Sequence, residues 1–308
     1  KKLSFVELAK EVIGIFAGDI SKDVLNPIVE RAYQDFDHPD VVGLGVLENI
    51  HVLELFHGPT LAFKDIALQL LGGLFTEILG QTKEHLNILG ATSGDTGSAA
   101  IAAIRGRPNM DIFIMYPDKK VSPLQELQMT TNLDPNVHCI AIKGSFDDCQ
   151  NLMKSVFGDL AFKKDFRLGA INSVNWARVM AQIVYYGYIS LRFADGCCFS
   201  VPTGNFGNVF AAFIAKRMGF PVDRLIVATN ENDILHRFFD RGDYSRGETH
   251  FTLSPAMDIQ VASNFERYLY YLTDCDSARV GRFMAEFANS GKVSIEGALT
   301  DEPFCSAT

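Results

Sequence analysis

The chain has 308 residues, a formal net charge of −9 at pH 7, and a composition of 47% hydrophobic, 21% charged and 11% aromatic residues. These values are typical of a globular protein whose core is large enough to need no disulfide or metal. The negative balance argues against partners that are nucleic acids or anionic membranes. No apolar run approaches the roughly 20 residues that span a bilayer. We therefore expect a globular protein without a nucleic-acid or membrane partner.

Short apolar runs alternate along the chain with segments of helical period. The strand-like runs are 86–89, 112–115, 137–142, 199–201 and 225–228, and the helical segments include 124–131, 149–162 and 176–193. This alternation predicts an α/β fold with parallel sheets covered by helices. The grouping of the runs into 85–171 and 197–228 predicts two open, mostly parallel sheets. The polar stretch 240–249 predicts a surface loop.

Cysteine and histidine spacings give no metal or disulfide motif. The six cysteines include no C-x-x-C pair, and several lie in apolar runs, which is typical of reduced core residues in a cytosolic protein. The seven histidines show no H-E-x-x-H or comparable ligand spacing. We therefore expect no bound metal.

The segment 57–65 (HGPTLAFKD) places one lysine, Lys64, behind a Gly-Pro turn and at the start of a long apolar helix pattern. The backbone at such a junction is rigid, which restricts the positions that the lysine amine can reach. Partial burial among its apolar neighbours would lower its pKa and make it a better nucleophile. Lys64 is therefore a candidate anchor for an aldehyde cofactor, and the alternative is a solvated lysine at a helix start.

Two glycine-rich loops follow strand-like runs and precede helical segments. The first is 90–98 (GATSGDTGS) and the second is 203–208 (TGNFGN). Glycine allows close approach of a ligand, and a helix N-terminus presents main-chain amides to an anion. Neither loop has the lysine of a Walker phosphate loop or a complete dinucleotide fingerprint. Either loop alone could simply make a turn.

The lysine segment and the two loops resemble the fold type II pyridoxal-phosphate enzymes and, within them, the threonine synthase family. Further similar stretches are 122–131 (SPLQELQMTT), 144–150 (GSFDDCQ), 172–178 (NSVNWAR) and 254–260 (SPAMDIQ), so the resemblance runs from about residue 43 to 290. It implies pyridoxal 5'-phosphate in an interdomain cleft. It also implies a large cofactor domain, 1–84 with 172–308 and incomplete at both ends, and a smaller mobile α/β domain, 85–171.

The resemblance also implies roles for individual residues. Lys64 would form the Schiff base and act as the acid and base. Asp95 would lie near the ring oxygen of the cofactor, where related enzymes have asparagine, or else cap a helix. The residues that would hold the cofactor phosphate through main-chain amides are Gly204, Asn205, Phe206, Gly207 and Asn208. The residues that would bind the substrate are Thr92, Ser93, Thr96, Asn172 and Arg178.

Within that last group, Asn172 and Arg178 would face a substrate phosphate, a task that suits the planar fork of arginine. The alternative is that Arg178 lies on the surface of a helix that starts near Trp176. The lone tryptophan itself is expected to be a packing residue.

The reaction implied by the resemblance converts O-phospho-L-homoserine and water to L-threonine and phosphate. Two alternatives remain open, namely a relative that only eliminates phosphate and gives a 2-oxo acid, and a catalytically silent binding module. We expect a monomer or a homodimer. Ser306 and Thr308 are poor candidates for the partner of the pyridine nitrogen, because no strand-like run precedes them. We therefore expect residues beyond 308 to complete the pocket.

Overall fold

The computed structural model describes residues 3–295 and 304–307. The chain divides into two units, residues 1–181 and 182–308. Each unit contains a parallel sheet with helices connecting its strands. The prediction of an α/β protein with two open, mostly parallel sheets is therefore confirmed.

The first unit is built on a four-stranded parallel sheet. The strands of the whole unit are β1 (Gly43–Leu47), β2 (Ile50–Glu54), β3 (Leu86–Ala91), β4 (Met110–Pro117), β5 (Val137–Ile142) and β6 (Leu168–Gly169). Its helices are α1 (Phe5–Phe16), α2 (Lys22–Tyr33), α3 (Lys64–Thr82), α4 (Asp95–Ile104), α5 (Pro123–Thr130), α6 (Phe146–Gly158) and α7 (Leu160–Asp165). The sheet has the order β5-β4-β3-β6, and β1 and β2 form a separate antiparallel hairpin.

The core of this unit lies between the sheet and helices α3 and α4. Inward-facing residues of β3 and β4, such as Ile88 and Ile112, pack against Leu68 of α3 and the small side chains of α4. Small residues let α4 approach the sheet closely. Because β3 feeds directly into α4, the loop 92–94 lies beyond the carboxyl end of a strand, where open α/β sheets bind ligands.

Helix α8 (Trp176–Ser190) spans the boundary of the two units. The second unit contains strands β7 (Cys197–Pro202), β8 (Val222–Ala228), β9 (Asp243–Ser245), β10 (Lys292–Ser294) and β11 (Phe304–Ala307). Its helices are α9 (Gly207–Arg217), α10 (Ile234–Arg241), α11 (Phe265–Leu272) and α12 (Ser277–Ser290). The order of its parallel sheet is β11-β8-β7, while β9 and β10 pair antiparallel.

Three sequence-based expectations about local structure are wrong. The segment 240–249 contains strand β9, because Tyr244 is buried and stacks on Phe265. The helical stretch 149–162 is broken at Asp159, which caps the separate helix α7. Ser306 does lie on a strand, since β11 pairs in parallel with β8 and sets Ser306 opposite Val227. Thr308 lies outside the described residues.

The six cysteines are all unpaired, but they are not all core residues. Cys149 is buried, whereas Cys198 and Cys275 are exposed. Cys198 lies on β7, where successive side chains point to opposite faces and alternate ones meet solvent. The expectation that the cysteines are core residues is therefore wrong for these two.

The sheet of the first unit lies wholly within the segment predicted as the smaller domain, 85–171. The division into that domain and a larger one, 1–84 with 172–308, stays a prediction. In the described part of the chain, no helix combines the length and the apolar character needed to cross a membrane.

Candidate functional site

Lys64 is the first residue of α3, and its amine is drawn into a cluster of polar groups. Its Nζ donates to Oδ2 of Asp95 at 2.6 Å and to Oγ1 of Thr96 at 2.7 Å. Only 11% of the side chain is exposed. Burial lowers the pKa of Lys64, the Asp95 carboxylate opposes this, and the positive charge of Arg178 lowers the pKa further. The alternative of a solvated helix-start lysine is therefore wrong.

Arg178 belongs to the same cluster. It lies in the first turn of α8 and is only 5% exposed, so the alternative of a surface arginine is wrong. Burial lowers the pKa of Arg178 to about 10, and the nearby carboxylate of Asp95 opposes the shift. The cluster therefore places the Lys64 amine and the Arg178 guanidinium near the carboxylate of Asp95.

Asp95 is the first residue of α4, and its side chain is used by the lysine. Gly94, the N-cap residue of α4, makes no side-chain cap, and an N–H of the first turn is bound by Thr92 and not by Asp95. The carboxylate of Asp95 instead accepts from Lys64. The geometry therefore favours a role at the lysine over the alternative role as a helix cap.

The turn that precedes Lys64 is fastened by a neighbouring carboxylate that the sequence analysis did not assign. Asp65 is fully buried and accepts two hydrogen bonds of 2.8 Å, from the main-chain N–H and the hydroxyl of Thr60. Burial raises the pKa of Asp65, and the bonds from Thr60 oppose the rise. Nε2 of Gln128, on α5, donates to the carbonyl of Thr60 at 3.2 Å. The start of α3 is thus held from both sides.

The first glycine loop is held by its own threonine. Oγ1 of Thr92 accepts from the main-chain N–H groups of Gly94, at 3.0 Å, and Gly97, at 2.8 Å. Gly94 has φ 145°, a conformation open to glycine alone, and a Cβ there would lie 2.0 Å from Oε1 of Gln125. These two hydrogen bonds and the glycine conformation therefore stabilise the shape of the loop. The predicted substrate role of Thr92 stays a prediction, as does that of the half-buried Ser93.

The other residues singled out near 172–178 differ in burial. Asn172 is exposed, and its carbonyl accepts from the main-chain N–H of Asn175. Trp176 packs edge-on against Phe16, with ring centroids 5.4 Å apart, but it is 37% exposed, so its interpretation as a packing residue is supported only in part. The structure thus brings Lys64, Asp95, Thr96 and Arg178 together and leaves Asn172 at the surface.

The second glycine loop, 203–208, lies in the second unit between β7 and α9. Phe206 has φ 63° and immediately precedes α9, and its fully buried ring packs among Phe239, Phe265 and Phe304. The side chain of Asn208 closes the loop, since Oδ1 accepts from Thr203 Oγ1 at 2.6 Å and Nδ2 donates to the Pro202 carbonyl at 2.8 Å.

The amide groups of this loop meet the start of a helix. The first N–H groups of an α-helix have no intrahelical partner and attract an anion. In α9 the N–H of Val209 is satisfied by Asn208 Oδ1 at 2.9 Å, and the helix begins one residue after Phe206. Thr229, the first residue after β8, has a buried Oγ1 without a hydrogen-bond partner among the described residues. Polar groups that await a partner therefore lie beyond the carboxyl ends of these strands.

Comparison with known proteins gives consistent results. A family model for pyridoxal-phosphate dependent enzymes matches residues 44–298. A threonine synthase of Schizosaccharomyces pombe is 48% identical over an alignment of 332 positions, gaps included, that covers 96% of this chain and 65% of the relative. A threonine synthase of Pseudomonas aeruginosa is 52% identical over 299 residues, which cover 96% of this chain and 64% of the relative. The chain thus spans just under two thirds of the length of these curated relatives.

A solved structure is similar over nearly the whole chain. The crystal structure of threonine synthase from Brucella melitensis with bound pyridoxal phosphate superposes with a TM-score of 0.95 at 47% identity. The match covers 99% of this chain and 67% of that one. The fold described above is therefore that of a solved relative.

Proposed function

The chain belongs to the family of pyridoxal-phosphate dependent enzymes, and from that premise we propose that its activity is that of a threonine synthase. The proposed reaction takes O-phospho-L-homoserine and water to L-threonine and phosphate. The observation that carries the proposal is the identity of about half of the residues with threonine synthases over 96% of the chain. The cluster of Lys64, Asp95 and Arg178 supplies the chemical groups that such a reaction needs.

Each unit, taken by itself, carries residues that fit one functional group of the cofactor. Pyridoxal phosphate carries an aldehyde and a phosphate. Lys64 offers the aldehyde a buried amine of lowered pKa. The loop 203–208 offers the phosphate a helix start, and the buried hydroxyl of Thr229 still awaits a partner. When bound, the cofactor supplies an electron sink for the substrate's reacting carbons.

Lys64 is proposed to hold the cofactor and to move protons at Nζ. Its contacts with Asp95 and Thr96 fix the direction of the amine. Its lowered pKa brings the neutral form closer to the working pH, which favours both attack on an aldehyde and proton transfer. Asp95 balances this by keeping the pKa from falling further. We propose that Asp95 also faces the ring oxygen of the cofactor.

Arg178 is proposed to bind the phosphate of the substrate. Its guanidinium is buried, and its planar fork can engage two oxygens of a phosphate. Thr92, Ser93, Thr96 and Asn172 are proposed to bind the substrate's polar groups. The main-chain amides of Gly204, Asn205, Phe206, Gly207 and Asn208 are proposed to hold the cofactor phosphate.

The six unpaired cysteines support the predicted cytoplasmic location, since reducing compartments keep thiols free. The proposed substrate is a small molecule, and no macromolecular partner is proposed.

Product analysis tests the proposed reaction. The protein, loaded with pyridoxal phosphate, is incubated with O-phospho-L-homoserine, and the products are separated by chromatography. We expect L-threonine and phosphate in equal amounts. A 2-oxo acid with phosphate would replace the proposal by the elimination-only alternative, and absence of turnover would favour the silent module. L-homoserine, which lacks the phosphate, is the matched control and should give no threonine.

A further inference from the structure

The segment 254–260 (SPAMDIQ) lies directly against the loop proposed to bind the cofactor phosphate. A Cβ added to Gly204 would lie 3.0 Å from Cα of Met257 and 3.1 Å from the carbonyl oxygen of Ala256. The backbone of the loop therefore rests on the backbone of the short 3-10 turn Pro255–Met257. A shift of that turn must move Gly204 or open a gap beneath it.

One carboxylate fixes the end of this turn. Asp258 follows the turn immediately, and its Oδ1 accepts from Asn230 Nδ2 at 2.8 Å and from Thr252 Oγ1 at 2.7 Å. Asn232 Nδ2 lies 3.2 Å from the same oxygen, and Oδ2 accepts from the main-chain N–H of Thr252 at 2.9 Å. Four neutral donors thus converge on a half-buried carboxylate.

The donors come from two segments that both precede the turn in sequence. Asn230 and Asn232 follow β8, the strand next to β7 that leads into the loop, whereas Thr252 lies just before the turn. Asp258 therefore ties the turn to the carboxyl end of the sheet. The loop is also held on its other flank, where the main-chain N–H and Nδ2 of Asn264 both donate to the carbonyl of Asn205, at 3.0 and 3.1 Å.

We infer that Asp258 is a positioning residue for the phosphate-binding loop. Asp258 anchors the turn 255–257, and the backbone of that turn fixes the position of Gly204. Gly204 and its neighbours then present their main-chain amides to the cofactor phosphate. The inference rests on the proposed function of the loop 203–208. It gives the segment 254–260 a role of its own, separate from the chemistry at Lys64.

The test compares two ligands that differ only in the phosphate. Affinity of the apoprotein for pyridoxal 5'-phosphate and for pyridoxal is measured by absorbance titration, in buffer without phosphate. In Asp258→Ala the affinity for pyridoxal phosphate should fall roughly tenfold or more, the size of loss typical when a supporting partner of a binding group is removed. The affinity for pyridoxal should change less than about twofold, since pyridoxal engages Lys64 without the phosphate.

Asp276→Ala is the matched control. Asp276 is an exposed carboxylate in the same unit that caps α12 through the N–H of Arg279, away from the loop. Its loss should lower the free energy of unfolding by about 1 kcal/mol without changing the ratio of the two affinities. If Asp258→Ala does not fold, Thr252→Val decides by the same ratio, since it removes one donor to Asp258 and keeps the main-chain N–H.

The outcomes separate this inference from the proposed function. Equal affinities of the unmodified protein for the two ligands would overturn the phosphate-binding role of the loop. A clear preference for pyridoxal phosphate that Asp258→Ala leaves intact would overturn only the positioning role. Equal weakening of both ligands would do the same, because it would make Asp258 a general structural residue.

Discussion

The lysine region of the first unit and the glycine loop of the second unit are built on different principles. Around Lys64, charged side chains are buried together, and the carboxylate of Asp95 opposes the lowering of the pKa of both Lys64 and Arg178. In the loop 203–208, the shape is set by main-chain packing, a buried aromatic ring and neutral hydrogen bonds. The first region is tuned by charge, and the second by backbone position.

This difference predicts how each region fails. Changes of charge at constant volume should act most strongly near Lys64, where the dielectric screening is weak. Substitutions that add a side chain or a charge at a glycine should weaken ligand binding most strongly in the loop 203–208. The predictions below run from the largest expected effect to the smallest.

Gly207→Asp should weaken binding of pyridoxal phosphate by on the order of a few kcal/mol, because a carboxylate would sit where main-chain amides are proposed to meet a phosphate. Titration of the apoprotein with cofactor measures the effect. Gly281→Asp is the matched control, since Gly281 lies on α12 of the same unit with open space around its Cα. If the dissociation constant for pyridoxal phosphate is unchanged in both Gly207→Asp and the control, the loop does not bind the cofactor.

Asp65→Asn keeps the volume of the side chain but replaces one acceptor of the Thr60 bonds with an amide donor. We expect the free energy of unfolding of the apoprotein to fall by about 1–3 kcal/mol, the cost of a buried unsatisfied group. The rate at which Lys64 captures the cofactor should fall as well, because the turn before it is released. Asp23→Asn, an exposed carboxylate in the first turn of α2, is the control. Equal, small effects of the two changes would show that Asp65 does not position Lys64.

Arg178→Lys should raise the Michaelis constant for O-phospho-L-homoserine by roughly tenfold, or about 1.4 kcal/mol, because a point charge cannot replace a planar fork on a phosphate. Steady-state kinetics at fixed ionic strength measures this. Arg282→Lys, at an exposed position on α12, should leave the constant unchanged. If both variants behave like the parent, Arg178 does not bind the substrate phosphate.

The pH dependence of cofactor capture should respond in opposite directions to two changes. Only the neutral amine attacks an aldehyde, so the capture rate should rise through the pKa of Lys64, which lies below the ordinary value of 10.5. Asp95 raises this pKa, and Asp95→Asn should therefore move the midpoint to lower pH. Arg178 lowers it, and Arg178→Met should move the midpoint to higher pH. Stopped-flow absorbance across pH gives the midpoints, and shifts in the same direction would contradict the charge balance proposed for the cluster.

The sequence predicted the parts of the fold and site that have a local signal. Short apolar runs located β3, β4, β5, β7 and β8 but missed β6 and β11, the short strands at one edge of each parallel sheet. The segment 57–65 singled out Lys64. The antiparallel pair β9 and β10 was missed because each strand has only three residues and the two strands are far apart in the sequence. Thr60 was missed for a related reason, since its contact with Gln128 spans 68 residues of sequence.

Residues that hold other residues in place are the hardest to find from sequence. Asp65 and Asp258 lie within the segments 57–65 and 254–260, where the sequence gives no sign of their role, and only the convergence of donors on them shows it. Phe206 gives the opposite case, because its position in the glycine loop suggested the cofactor alone, whereas its ring also anchors the loop in an aromatic cluster. The chemistry of a side chain can be read from its type, but its partners depend on packing.

The most direct test of the account is to locate the covalent attachment of the cofactor. The protein is loaded with pyridoxal phosphate, reduced with borohydride, digested and mapped by mass spectrometry, with Lys64→Ala treated in the same way. We expect the cofactor adduct on Lys64 and none in the variant, which should still fold. An adduct on another lysine, or an equal adduct in Lys64→Ala, would contradict the assignment of Lys64 as the anchor.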